Sequence, residues 1–228
     1  GQPVTVKAVK RTEKTEKAPL LYDLTALQRE ANRSLGYTAQ QTLDYLQALY
    51  EKKLCTYPRT DSRFLTNDLE ASVPELVTVA AAICEAAAPG RVNAGQLCDS
   101  KKVSDHHAIL PTASAGKADT SVLPLGEREI LRLVAGQLLR AVSDAHRYAE
   151  TTVTLECGGA VFTVKGRTTL VPGWKQYLAQ EKQDAALPEL SEGQVLDCAE
   201  AAVKEGKTTP PKHYTEDICC ERGIRNHP

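Results

Sequence analysis

Hydrophobic period changes twice along this chain, and that limits the fold more than any other feature. Near the N-terminus Val4, Val6 and Ala8 alternate with polar residues, the two-residue repeat of a strand with one buried face. From Asp23 the repeat lengthens. Leu24, Leu27, Ala31 and Leu35 fall at helical spacing, and Gly36 stands where a helix C-cap needs left-handed backbone. Thr38 and Gln41 form a capping box ahead of Leu43, Leu46, Leu49 and Tyr50 on a second helix. Lys52 and Lys53 follow, placed to meet the negative end of its dipole. Leu76, Val79, Ala80, Ile83 and Ala87 predict a third helix closed by Pro89-Gly90. Ile130, Leu131, Val134, Leu138, Ala141 and Val142 predict a fourth, with His146 and Arg147 capping its end. Beyond Glu150 the two-residue repeat returns at Val153 and Leu155, Val161 and Val164, Val195 and Leu196, and Ala202 and Val203. Gly158-Gly159 supplies a hairpin turn.

The economical architecture is α+β: a β-rich domain of residues 1–22 and 151–212, with an α-rich domain of residues 23–150 inserted into it. Residues 91–126, rich in Gly, Ser, Pro and Lys, read as loops. The run Lys10 to Lys17 carries four cations against two carboxylates and reads as a solvated loop or, more sharply, a phosphate-facing arm. The helix pair joined at Gly36-Tyr37 suits a helix-turn-helix, an arrangement with structural as well as DNA-binding uses.

Composition removes several classes of function. The longest stretch free of Lys, Arg, Asp and Glu is His106 to Gly116, eleven residues, whereas a membrane helix needs about 20. No secretion signal is read at the start. A net charge of −1 from 28 basic and 29 acidic residues excludes the argument from bulk basicity to nucleic acid. Any such role must rest on local chemistry. The seven cysteines form no C-x-x-C pair, which suggests reduced thiols rather than a zinc ribbon or disulfide framework. The chain contains no Met and starts at Gly1, so a piece of something longer is expected.

The segment richest in chemistry is Cys55-Thr56-Tyr57-Pro58-Arg59-Thr60-Asp61-Ser62-Arg63. In extended backbone Tyr57 and Arg59 project to the same side. A phenol of pKa about 10 is a poor nucleophile at neutral pH. It becomes useful when a guanidinium stabilises charge on a nearby phosphodiester, a task to which the bidentate arginine fork is suited. Taken alone, the same residues also suit a strand end with an Asp-Ser turn. A second segment, Ser104-Asp105-His106-His107-Ala108-Ile109-Leu110-Pro111-Thr112, places adjacent imidazoles in a polar loop. They could bind phosphate, move a proton or cap the surface; neighbouring histidines point apart, which disfavours one shared metal. Lys101 and Lys102 flank this loop as a solvated pair or as contacts to a DNA backbone. Trp174, after Pro172-Gly173, reads as a packed aromatic at a turn, with base stacking the alternative.

Together these segments resemble bacterial type IA DNA topoisomerases, most closely topoisomerase III. The resemblance runs through Leu24–Gly36 and the following helix, the Thr-Tyr-Pro-Arg-Thr-Asp-Ser of Leu54–Leu65, the Asp-His-His-Ala-Ile-Leu-Pro-Thr of Ser104–Thr112, and Thr209–Glu216. It implies an isomerase in which Tyr57 attacks one DNA strand and takes its 5′ phosphate, Arg59 contacts the scissile phosphate, and His106 contacts DNA beside the break. Thr60, Asp61 and Ser62 match the part that orders this loop, and with Arg63, His107 and Lys101 they complete the expected DNA-binding set. The phosphotyrosyl bond conserves the energy of the broken ester, so religation needs no ATP. The partner implied is DNA, chiefly single-stranded, in the bacterial cytoplasm. The resemblance also implies a hinge for the β-rich residues and a liftable, winged-helix-like tyrosine domain for the insert.

The family's Mg²⁺ site lies in a Toprim domain that would precede this segment, with a Glu and a D-x-D pair. None of the eleven Asp residues here lies two positions from another. A fragment without that half of the site is expected to be inactive alone. Residues 213–228 depart from the family's Leu- and Ala-rich helix and are expected to be a truncated or artificial tail. A non-catalytic DNA-binding module is the competing reading. A relaxase needs His-x-His, which the adjacent His106 and His107 do not form, and a recombinase places its Arg and His before the Tyr.

Overall fold

The structure, a computed structural model, describes residues 3–178, 186–200, 202–203, 205–210 and 215. These fall into two compact units, one within Gly1–Lys17 and Ala145–Pro211 and the other within Ala18–Asp144. Both division points lie a few residues before those expected from periodicity.

The first unit is an antiparallel sheet of four strands, β1 (Pro3–Glu16), β2 (His146–Cys157), β3 (Ala160–Val171) and β4 (Val195–Asp197), in the order β3-β2-β1-β4. β1 pairs with β2 from Thr5↔Glu156 to Glu16↔His146, with a register shift between Val6 and Ala8. Gly158 and Gly159, at φ 57° and 81°, make the two-residue β2–β3 turn whose positive φ at both positions follows the twist of the strands. Val6, Ala149 and Val153 are buried within the sheet unit.

Three expectations change here. Lys10 to Glu16 is strand, not loop, because its charges find cross-strand partners. Lys14 meets Glu150 at 2.8 Å and Arg147 meets Glu13 at 3.0 Å. His146 and Arg147 therefore open β2 instead of ending a helix. Ala202 and Val203 are in no strand.

The second unit is helical: α1 (Leu24–Leu35), α2 (Ala39–Glu51), α3 (Val73–Cys84) and α4 (Leu125–Ala141). The ends of α1 and α2 are those the sequence spelled out, whereas α3 stops at Cys84, with Glu85 in left-handed backbone, before the expected Pro89-Gly90. Asp23 caps α1 by accepting from the Ala26 N–H at 2.6 Å, Gly36 closes it at φ 74°, and Thr38 and Gln41 form the reciprocal capping box of α2. Lys52 does not serve the dipole of α2 alone; its Nζ lies 2.5 Å from the Glu127 carboxylate at the start of α4. Leu27, Ala31, Leu46, Leu49, Ile130, Leu131 and Val134 form the shared core. α4 is the most enclosed helix, with Ile130, Leu131, Ala135, Leu138 and Leu139 fully buried. Among the described residues no helix is long and apolar enough to cross a membrane.

Candidate active site around Tyr57

The segment after α2 is held by the segment carrying the histidines, mostly through backbone groups and hydroxyls. Cys55 bridges Pro111 in antiparallel fashion. The Thr56 N–H donates to the Leu110 carbonyl at 3.0 Å, and the Leu110 N–H donates to the Thr56 hydroxyl at 2.9 Å. Further along, the Thr60 hydroxyl donates to the His106 carbonyl at 2.8 Å while accepting from the Ser62 N–H at 3.1 Å. The Ser62 hydroxyl donates to the Lys102 carbonyl at 2.8 Å. A third layer is α1: the Leu24 N–H donates to the Thr60 carbonyl. Thr60 and Ser62 are buried, so the bond between them is shielded from water.

That scaffold presents three side chains near the surface. Tyr57 is half-buried, with its ring against two others. Tyr50 meets it edge-on at 5.5 Å between centroids and 83°, and His106 lies against it at 4.2 Å and 39°. No partner hydrogen-bonds the Tyr57 hydroxyl among the described residues. Arg59 is exposed, and its Nη1 donates to Gln47 Oε1 at 2.9 Å. Gln47 and Tyr50 stand three residues apart on α2, hence on one face. One helix end thus steadies both the phenol and the guanidinium. Just before Tyr57, the enclosed Cys55 thiol is pushed up to about 12 by burial, which makes it inert as a nucleophile.

The other predicted residues occupy different positions. Asp61 is exposed and accepts from the Ser104 hydroxyl at 3.2 Å. Arg63 turns inward, donating through Nε to the Leu21 carbonyl at 2.8 Å. His107 has Nδ1 2.8 Å from the Ala108 carbonyl, so that nitrogen carries the proton. Lys101 is exposed. Lys102 pairs with Asp99 and lies over the Phe64 ring, 4.4 Å from its centroid. Trp174 belongs to the sheet unit, where its indole N–H donates to the Glu16 carbonyl. The expectations for residues 213–228 lie outside the described residues, Thr215 apart.

Sequence reasoning missed Gln47 and Tyr50. Helical periodicity marked Tyr50 as a packing residue, and no signal in the chain links Gln47 to an arginine twelve positions away. Among the described residues no group of three or more His, Cys, Asp or Glu side chains could hold a metal ion.

Comparison with known proteins places the chain in a family. The family model described as DNA topoisomerase matches residues 1–218. DNA topoisomerase 3 of Bacillus subtilis is 38% identical over 231 residues, covering 95% of this chain and 32% of that protein. The DNA topoisomerase 3 proteins of Bacillus licheniformis and Vibrio cholerae are 36% and 37% identical, each again over 95% of this chain. The chain spans about a third of the length of these relatives. Full-length topoisomerase I from Thermotoga maritima shares the fold, with a TM-score of 0.67 at 22% identity over 85% of this chain and 32% of that one. The chain belongs to the bacterial type IA DNA topoisomerase family and is topoisomerase III-like.

Proposed function

We propose that Tyr57 is the nucleophile of transient single-strand DNA cleavage within a longer enzyme that passes strands through the break and reseals it. The Tyr57 oxygen attacks a backbone phosphorus; its bond to phosphorus forms as the P–O3′ bond breaks. The phenolic proton goes to water and the departing 3′ oxygen takes one up. The 5′ phosphate stays on Tyr57 until the 3′ hydroxyl attacks in reverse. One phosphoester replaces another, so no ATP is required. Arg59 stabilises the negative charge that builds on the phosphate oxygens. His106, against the Tyr57 ring, contacts DNA beside the break, and Lys101 and Asp61 line the approach. Thr60, Ser62, Arg63 and His107 serve the same surface by holding the loop's shape. The sheet unit is the hinge and the helical unit the liftable tyrosine domain. Mg²⁺ is assigned to a Toprim domain of the longer enzyme, so this chain by itself is inactive. The substrate is chiefly single-stranded DNA in the bacterial cytoplasm.

The observation that carries this reading is a tyrosine gripped by two aromatic rings with an unengaged hydroxyl, in a segment whose arginine rests on a neutral amide. The test is covalent capture. The full-length protein is incubated with a labelled oligonucleotide and Mg²⁺ and quenched with denaturant. An adduct on Tyr57 is expected, with none in Tyr57→Phe and roughly 10²-fold less in Arg59→Ala. An adduct that survives Tyr57→Phe, or DNA binding with no adduct at all, refutes it; the latter result supports a non-catalytic binding module. Relaxation of supercoiled DNA by this chain alone refutes the assignment of Mg²⁺ elsewhere.

A further inference from the structure

We infer that Gln47 is a positioning residue for Arg59, itself oriented by Glu51. The inference rests on the proposed role of Arg59 at the scissile phosphate. Gln47 sits in the penultimate turn of α2 and makes two hydrogen bonds of opposite sense. Its Oε1 accepts from Arg59 Nη1 at 2.9 Å, and its Nε2 donates to Glu51 Oε1 at 2.9 Å. Gln47 and Glu51 are four apart on the helix, the spacing at which side chains meet. An ionised carboxylate only accepts. Glu51 therefore selects the amide orientation that turns nitrogen toward itself, leaving the oxygen for the guanidinium.

The neutrality of the amide matters to the chemistry. A carboxylate at position 47 would also hold Arg59, but it would cancel the charge that a phosphate needs. An amide fixes the guanidinium and leaves its charge free for a phosphodiester. It engages one edge of the fork and leaves other N–H donors for phosphate oxygens. The same helix face carries Tyr50 against Tyr57. Nucleophile and charge stabiliser are thereby referenced to one rigid element, as a pre-organised site requires.

The test is a double-substitution cycle in the full-length protein, read as the rate of adduct formation on a labelled oligonucleotide. Gln47→Met keeps side-chain length and helix propensity while deleting both hydrogen bonds. It is expected to lower kcat about tenfold, since a small misplacement of a catalytic group carries a penalty of that order, with KM for the oligonucleotide within about twofold. In an Arg59→Ala background the same substitution is expected to change the rate by less than about twofold, because nothing is left to position. Glu51→Met is expected to fall between wild type and Gln47→Met, and to lose its effect once Gln47 is Met. Full rate in Gln47→Met, or an equal loss with and without Arg59, overturns the inference. If Gln47→Met shifts the thermal midpoint, Gln47→Leu is measured beside it; a rate that tracks stability and not the hydrogen bond to Arg59 also overturns it. Failure of the proposed function looks different: adduct would then form in Tyr57→Phe, or in no variant including wild type, whatever stands at 47.

Discussion

Replacing Thr60 by Val is the most direct test of how the site is held. Valine has nearly the shape of threonine, so the change removes a hydroxyl and almost no volume. That hydroxyl donates to the His106 carbonyl at 2.8 Å and accepts from the Ser62 N–H at 3.1 Å. Thr60 is 7% exposed and Ser62 4%, so water cannot replace the lost partners without opening the loop. A buried polar group left unpaired is worth about 1–3 kcal/mol. The Ser62 N–H falls in that range and the carbonyl of exposed His106 adds less, which gives an expected loss of about 2–3 kcal/mol. In a unit of this size that corresponds to a midpoint lowered by roughly 6–12 °C. Urea unfolding followed by circular dichroism measures the loss, with an unchanged slope indicating an unchanged unfolded state. Hydrogen exchange should show faster exchange at the Ser62 amide. Thr60→Ser keeps the hydroxyl and should recover most of the stability. A loss under about 0.5 kcal/mol in Thr60→Val, or an equal loss in Thr60→Ser, would refute the view that this hydroxyl ties the tyrosine and histidine segments together.

Other expectations follow from packing and charge. A Cβ added at Gly126 would lie 2.5 and 2.8 Å from Tyr45 Cε2 and Cε1, so Gly126→Ala should destabilise by about 1–3 kcal/mol through overpacking, against the gain of about 1 kcal/mol at an exposed helix site. Pairing it with Tyr45→Leu should restore stability in the same urea assay. Lys175 Nζ, 2.7 Å from Glu16, holds that carboxyl below its ordinary 4.5. A lowered carboxylate stabilises the fold fully above its unfolded value and loses that contribution as pH falls through the folded one. Lys175→Met should therefore weaken the sheet unit at pH 7, with the difference from wild type closing once the pH drops below about 4.5. Fluorescence of Trp174, the one tryptophan, reports this because its indole bonds the Glu16 carbonyl. Cys55, enclosed and with its thiol pushed up to about 12, should escape alkylation by iodoacetamide in the native protein and react only after unfolding, as read by peptide mass spectrometry.

Much of this protein was legible in its sequence because the determining forces are local. Helical spacing and the caps at Gly36, Thr38 and Gln41 act within a few residues, and each lies where spacing placed it. The return of two-residue alternation after residue 150 and the Gly158-Gly159 turn likewise depend on near neighbours. Tyr57, Arg59 and His106 stood out through the kinds of residue gathered in two short segments. Only tertiary structure decided the rest, because the partners lie far apart along the chain. Lys10 to Glu16 is strand through ladder bonds and charge pairs to residues 130 or more positions on. His146 begins a strand for the same reason. Thr60 and Ser62 were expected to order this loop and to join the DNA-binding set; which atoms their hydroxyls meet, carbonyls 46 and 40 residues away, only the packed structure shows. Gln47 is one more polar residue on an exposed helix face until folding brings Arg59 beside it. Local sequence sets what each segment can form; which polar atom satisfies which is settled when distant segments pack and water is shut out.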